Sequence, residues 1–210
     1  MPKPTVAVVV TNYNYGEYIG DCLDSVLNLN YDPKHYDVIV VDDCSTDNSS
    51  DIIEDYLSRH ENIVSITAKQ NGGVAAAANL ALSKDYDYYI RVDADDTVHP
   101  DYISHLVEFL QTFYHYNCVA CDYSILSPDS TQKIDVSAKI NNISCGIMYR
   151  MDKLIDWGGY NENFRHREEE ELRKRVGKEY KIAYLGKVLY YYRMHASNKT
   201  KDPEYKKTVV

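Results

Sequence analysis

The alternation of β-branched runs with segments of helical period, repeated through the first hundred residues, most limits what this chain can fold into. Thr5–Thr11 is a near-continuous β-branched run, the pattern of a strand buried on both faces. From Glu17 the apolar residues fall at Ile19, Cys22, Leu23, Val26 and Leu27, a helical spacing. Asp37–Val41 predicts a second buried strand, and the cap-rich stretch Ser45–Ser50 a helix start, with Ile52, Ile53, Tyr56 and Leu57 as its apolar face. Asn62–Ala68 and Tyr86–Val92 read as further strands, separated by an Ala-rich helix over Val74–Ser83. Pro100 suits the first turn of a helix marked by Ile103, Leu106, Val107 and Leu110. Such a series implies an α/β fold with a mostly parallel sheet covered on both faces, its ligands beyond the carboxyl ends of the strands.

The second half is less regular. Strand-like pieces fall at 118–126, 144–149, 180–185 and 187–192, and short helices near 151–156 and 169–177. No linker or repeat divides the 210 residues, so the expectation is one domain, with 1–100 as a nucleotide-binding half and 101–210 as an acceptor-side half that completes the site.

Charge and motif content exclude several functions. Lys plus Arg is 23 and Asp plus Glu is 32, a net charge of −9, which argues against nucleic-acid binding. Neither a P-loop nor a G-x-G-x-x-G occurs, so a phosphate site must rely on a metal ion or side chains. Five scattered cysteines do not read as a disulfide framework. Cys118 and Cys121 are expected on opposite faces of a strand, as reduced thiols in a cytoplasmic protein. No targeting or membrane-spanning segment is visible.

Four polar clusters carry the chemistry. Asp93-Ala94-Asp95-Asp96 gathers carboxylates after a strand, where they repel one another unless a cation neutralises them. Asp42-Asp43 closes another strand, and at least one of the two is expected to cap the next helix. In the charged run Arg165–Val176, Leu172 and Val176 mark the buried face, so an inward glutamate is Glu169 or Glu168. His195 follows a Tyr-rich strand and alone would read as a packing histidine.

In order, Val8–Asn14, Val40–Ser49, Asn71–Asn79, Arg91–Asp96, Gly158–Glu162, the glutamate run and Tyr192–His195 resemble the family 2 glycosyltransferases over nearly the whole chain. The resemblance implies the A-type glycosyltransferase fold, a Rossmann-like sandwich with helices flanking a mostly parallel sheet. It also implies transfer of a sugar, with inversion, from a nucleotide-diphosphate donor, a UDP-sugar foremost. The acceptor would be a carbohydrate or glycolipid hydroxyl in polysaccharide or glycoconjugate synthesis, at or near the cytoplasmic face of a membrane. By the same resemblance Thr11, Asn12, Tyr13, Asp43, Asn71, Gly72, Arg91, Asp93 and Ala94 would hold the nucleotide. Asp93, Asp95 and His195 would hold Mn2+ or Mg2+, and Glu169, with Glu168 as runner-up, would be the general base. Two other readings remain at this point. One is a non-catalytic nucleotide-sugar-binding or carbohydrate-binding module; the other is a phosphatase using Asp93–Asp96, which the three preceding strands disfavour.

Overall fold

The computed structural model describes residues 3–141, 143–165, 167–196 and 198. The four expected strands form as β1 (Val6–Asn12), β2 (Tyr36–Asp42), β3 (Ile63–Thr67) and β4 (Tyr88–Asp93). They run parallel in the spatial order β3-β2-β1-β4. The chain therefore winds outward from β1 to β3 and then returns to the other side of β1, opening a crevice at the β1/β4 boundary.

Alternate residues of β1 supply two cores. Val6, Val8 and Val10 face one layer with Ile19 and Leu23 of α1 (Ile19–Leu27), Ile53 of α2 (Ser49–Arg59) and Leu106 of α4 (Tyr102–Thr112). Ala7 and Val9 face the other, with Ala75 and Ala78 of α3 (Val74–Leu80), Leu154 of α5 (Met151–Asp156) and Leu172 of α6 (Glu168–Val176). Each fully buried Val or Leu contributes roughly 1.5–3 kcal/mol, so a sheet clad on both faces is the stable outcome of this sequence.

The second half extends the same sheet. Beyond β4 lie β8 (Ile147–Arg150), β6 (Cys118–Leu126), β9 (Ile182–Arg193) and the short β5 (Thr97–Val98), while β7 (Lys133–Val136) pairs with the far part of β6. β8 is antiparallel to both β4 and β6, whereas β9 is parallel to β6. Cys118 and Cys121 do face opposite cores.

Several boundaries differ from expectation. The two strands foreseen at 180–185 and 187–192 are one strand, β9. Its register jumps from Ala120↔Tyr184 to Asp122↔Val188, a bulge at Gly186, whose φ is +61°. The piece at 144–149 begins as a 3-10 turn, Ser144–Gly146, before β8. Helix α3 stops at Leu80, where Leu82 N–H turns back to the Asn79 carbonyl. Pro100 precedes the cap of α4 rather than entering its first turn, because its carbonyl and the Asp101 carboxylate are both held by Asn30.

Candidate active site

Register places the polar clusters together. In the parallel ladders Asn12 is paired with Asp42 and Thr11 with Asp93, so the ends of β1, β2 and β4 meet at one edge of the sheet. Thr11 Oγ1 donates to Asp93 Oδ1 at 3.1 Å, and Asn12 Nδ2 donates to Asp42 Oδ1 at 2.7 Å.

The two aspartates after β2 have separate tasks. Asp42 also accepts from the Ser45 amide and hydroxyl, and so shapes the turn toward α2. Asp47 adds the amides of Gly16 and Ser49. Neither Asp42 nor Asp43 caps α2, whose N-cap is Asn48; Asp42 is spent on the turn at Ser45, three residues on, and the Ser49 amide is held by Asp47 instead. Asp43 instead accepts from the Gly72 amide at 2.8 Å on one oxygen and from the Gly73 amide at 2.7 Å on the other. Asn71 Nδ2 donates to the Asp43 carbonyl. Position 72 requires glycine, since an added Cβ would lie 2.8 Å from the Ala76 Cβ.

The acidic cluster after β4 is also divided. Asp93 and Asp95 line a cleft of about 460 Å³, whereas Ala94 and Asp96 are enclosed. Asp96 accepts from the Tyr190 hydroxyl at 2.6 Å and the Arg193 amide at 2.8 Å. Asp95 Oδ2 lies 2.9 Å from His195 Nε2 and 3.5 Å from Asn198 Nδ2. Burial and the neighbouring carboxylates raise the pKa of both groups, and His195 opposes the rise at Asp95. His195 is itself buried, stacked on Tyr18 at 4.5 Å and edge-on to Tyr15 at 5.8 Å. His195 therefore packs among aromatic rings, as an isolated histidine would, and meets Asp95 as well.

Among the described residues, one set of three donors in this cluster lies close together. Single atoms of Asp93, Asp96 and Cys145 lie within 4.8 Å of one another. A soft, enclosed thiol suits a hard cation poorly, and both Asp96 oxygens are already engaged. Asp93 and Asp95 line the cleft, with the His195 imidazole 2.9 Å from Asp95 Oδ2.

The glutamate run forms α6, entered through Arg167 at φ +61°. Glu168 and Glu169 are both buried, and Glu170 is exposed. The facing argument thus holds for the pair without separating its members; their partners separate them. Glu168 Oε1 accepts from Arg91 Nη1 at 2.7 Å. Burial pushes the Glu168 pKa up, but the charge and hydrogen bond of Arg91 outweigh it, and the net shift is downward. Glu169 shifts upward, because burial dominates over Arg173 and Tyr180. Glu169 Oε1 accepts from Arg173 Nε at 3.1 Å, from Arg173 Nη2 at 2.5 Å and from the Tyr180 hydroxyl at 3.1 Å.

Thr11, Asn12, Tyr13, Asp43, Arg91, Asp93, Asp95, Glu168 and Glu169 all reach the cleft wall, while Asn71, Gly72, Ala94 and His195 do not line it. Sequence reasoning missed Tyr15, Tyr18, Tyr180, Tyr190 and Asn198. Tyrosine is abundant, at 21 residues, and nothing in its spacing distinguishes the few at the site.

The sequence profile described as Glycosyl transferase family 2 matches residues 7–177. The chain belongs to this family. Among its relatives is TuaG of Bacillus subtilis (strain 168), whose name refers to a glycosyltransferase of teichuronic acid biosynthesis. It is 34% identical over 132 residues, covering 61% of this chain and 50% of TuaG. Among solved structures, S. aureus TarS 1–349 in complex with UDP-GlcNAc superposes with a TM-score of 0.81 at 21% identity, over 97% of this chain and 64% of that one. A mannosyltransferase from Pyrobaculum calidifontis in complex with GDP-Man and Mn2+ gives 0.75 at 18% identity, over 96% and 59%. These likenesses establish the A-type glycosyltransferase fold. The chain spans half the length of TuaG and about three fifths of the two solved chains. Among the described residues no helix is long and apolar enough to cross a membrane.

Proposed function

We propose that this family 2 glycosyltransferase moves a sugar from a nucleotide-diphosphate donor, a UDP-sugar, to a carbohydrate hydroxyl in polysaccharide synthesis, inverting the anomeric carbon. The observation that carries this reading is that Asp93, Asp95, Asp43 and Glu169 all open onto one cleft of about 460 Å³. The UDP-GlcNAc complex of TarS and the name of TuaG support the donor and product classes.

Asp43, with Thr11, Asn12 and Tyr13, would seat the nucleoside at the strand ends. Asp93 and Asp95, with His195 beside them, would hold Mn2+ or Mg2+. Bound there, a divalent ion neutralises charge on the departing diphosphate.

Glu169 is the general base of this scheme. Its Oε1 receives all three hydrogen bonds from Arg173 and Tyr180, which leaves Oε2 to take the acceptor proton. As that O–H bond breaks, the oxygen forms a bond to the anomeric carbon on the face opposite the leaving group. The bond from carbon to diphosphate oxygen breaks, and its electron pair leaves with the nucleotide. A positioned base contributes roughly 10²–10⁴ in rate. Glu168 is unsuited to the task, because Arg91 holds its carboxylate ionised and engaged.

The test is release of nucleotide diphosphate from a panel of UDP-sugars with Mn2+ or Mg2+. Glu169→Gln should bind UDP as wild type does and lose turnover. Equal turnover by Glu169→Gln, or no release from any donor by the wild type, would favour a binding module.

A further inference from the structure

Behind the base lies a chain of buried hydroxyls that transfer chemistry does not by itself require. Tyr180, which follows α6 through a 3-10 turn, returns its hydroxyl to Glu169 Oε1 at 3.1 Å. On its far side the same hydroxyl lies 2.8 Å from that of Tyr149 on β8. Tyr149 is fully buried and Tyr180 nearly so. The Tyr180 ring is clamped, stacked on Trp157 at 5.5 Å with the Arg173 guanidinium 5.6 Å from its centroid.

The polarity of this chain follows from valence. An ionised carboxylate can only accept, so the single Tyr180 proton is committed to Glu169. The bond between the two hydroxyls must then be donated by Tyr149. A donor that itself accepts a hydrogen bond is polarised and strengthened, more so away from water.

We infer that Tyr180, backed by Tyr149, is a positioning residue for Glu169: the pair pins Oε1, leaves Oε2 as the proton-accepting oxygen, and sets the pH at which the base becomes available. This inference rests on the base reading of Glu169 given above. Other groups face Glu169. Arg173 and Glu168 lie on its own helix, Tyr160 on the turn before it and Cys118 on β6, while Arg91 on β4 is engaged by Glu168. Among the described residues only Arg173 and Tyr180 donate to Glu169. Arg173 is partly exposed, so Tyr180 is the donor that water does not readily replace.

The decisive measurement is a 13C NMR titration of the glutamate side-chain carboxyls in the full chain without substrate, the Glu169 signal being the one missing from Glu169→Gln. Loss of a hydrogen bond to a charged group should move the Glu169 midpoint in Tyr180→Phe upward by about one pH unit. Tyr149→Phe should move it in the same direction by less, and keeps the idea testable if Tyr180→Phe folds poorly. The acid limb of turnover on the UDP-sugar selected by the panel should shift in parallel. At high pH, where Glu169 is ionised in every variant, turnover should still fall by about tenfold or less as the unpinned carboxylate loses its orientation, while urea unfolding midpoints near wild type exclude a damaged fold. An unmoved or lowered Glu169 midpoint in both variants overturns the positioning role, whatever Glu169→Gln does. Wild-type turnover by Glu169→Gln overturns the base reading, and with it the catalytic meaning of the pair.

Discussion

Arg91 Nη1 meets Glu168 Oε1 at 2.7 Å, with the two side chains only 4% and 5% exposed. Arg91 Nε also lies 3.2 Å from Asp93 Oδ1. One buried cation thus ties the first turn of α6 to the end of β4, and so holds that helix against the acidic cluster. Removing one partner of such a pair strands a charge in the interior. Arg91→Met should therefore cost about 3–5 kcal/mol in a denaturant titration. Replacing both partners, Arg91→Met with Glu168→Leu, should recover much of that loss. If the single and double variants are equally unstable, the pair is not what joins the two elements.

The neighbouring glutamates should respond to pH with opposite signs. Glu168 has a folded pKa below its unfolded value, because burial is outweighed by the Arg91 charge and hydrogen bond. Its stabilising contribution is complete above that value and is lost as pH falls through the folded pKa. Glu169 is raised, so its folded form binds the extra proton and its ionisation costs stability once pH exceeds the unfolded pKa. Glu168→Gln should hence be less stable than wild type at pH 7, with the gap closing in acid. Glu169→Gln should be as stable as wild type or more so at pH 7, with its advantage fading in acid. Urea unfolding at pH 7 and near pH 4 measures both, and shared signs would refute the division of roles.

How much of this site the sequence disclosed depends on how local each signal was. The alternation of strand and helix placed Asp42, Asp43 and Asp93 at strand ends, because a buried parallel strand writes itself as a run of Val and Ile. The period of α6 confined the inward glutamates to Glu168 and Glu169. Choosing between them needed Arg91, 77 positions away, and no local pattern announces such a partner. His195 was hidden similarly: its contact with Asp95 spans 100 residues and exists because β9 pairs with β5. The single strand β9 was misread as two because Gly186 looks like punctuation, whereas the fold uses it for a bulge.

The acidic cluster should make donor binding depend on a divalent ion. Calorimetry of UDP with Mn2+ should show at least about tenfold tighter binding than in EDTA, roughly 1.4 kcal/mol. Asp95→Ala should remove most of that difference, and His195→Ala should reduce it. Asp47→Ala should leave it intact, since Asp47 accepts from the amides of Gly16 and Ser49, at the start of α2. Equal UDP affinity in EDTA would exclude the metal role of Asp93 and Asp95.

Asp43 should select the base, though its geometry makes the test less direct than the sequence suggested. Each of its oxygens already holds a glycine amide. A carboxylate offers about four lone-pair sites, so two remain for a ligand. Uracil presents N3–H to such a group, whereas cytosine presents an acceptor there and is repelled. Wild type should therefore rank UDP above CDP, with dTDP separated from UDP by the ribose 2′-hydroxyl, which can donate a hydrogen bond to Asp93. Asp43→Ala frees the amides of Gly72 and Gly73, at about 1–3 kcal/mol for each that stays buried and unpaired, so part of any affinity loss will reflect the loop. Gly72→Ala supplies the control. Its Cβ would meet Ala76 at 2.8 Å and shift the same loop while leaving the carboxylate in place. Competition binding should show Gly72→Ala weakening UDP and CDP by similar factors, and Asp43→Ala weakening UDP by at least about tenfold more than CDP, as loss of a charge-assisted bond requires. Asp93→Ala should narrow the gap between UDP and dTDP. If Asp43→Ala merely reproduces Gly72→Ala, Asp43 is a loop anchor; if GDP binds wild type most tightly, the donor is a guanosine sugar on the same fold.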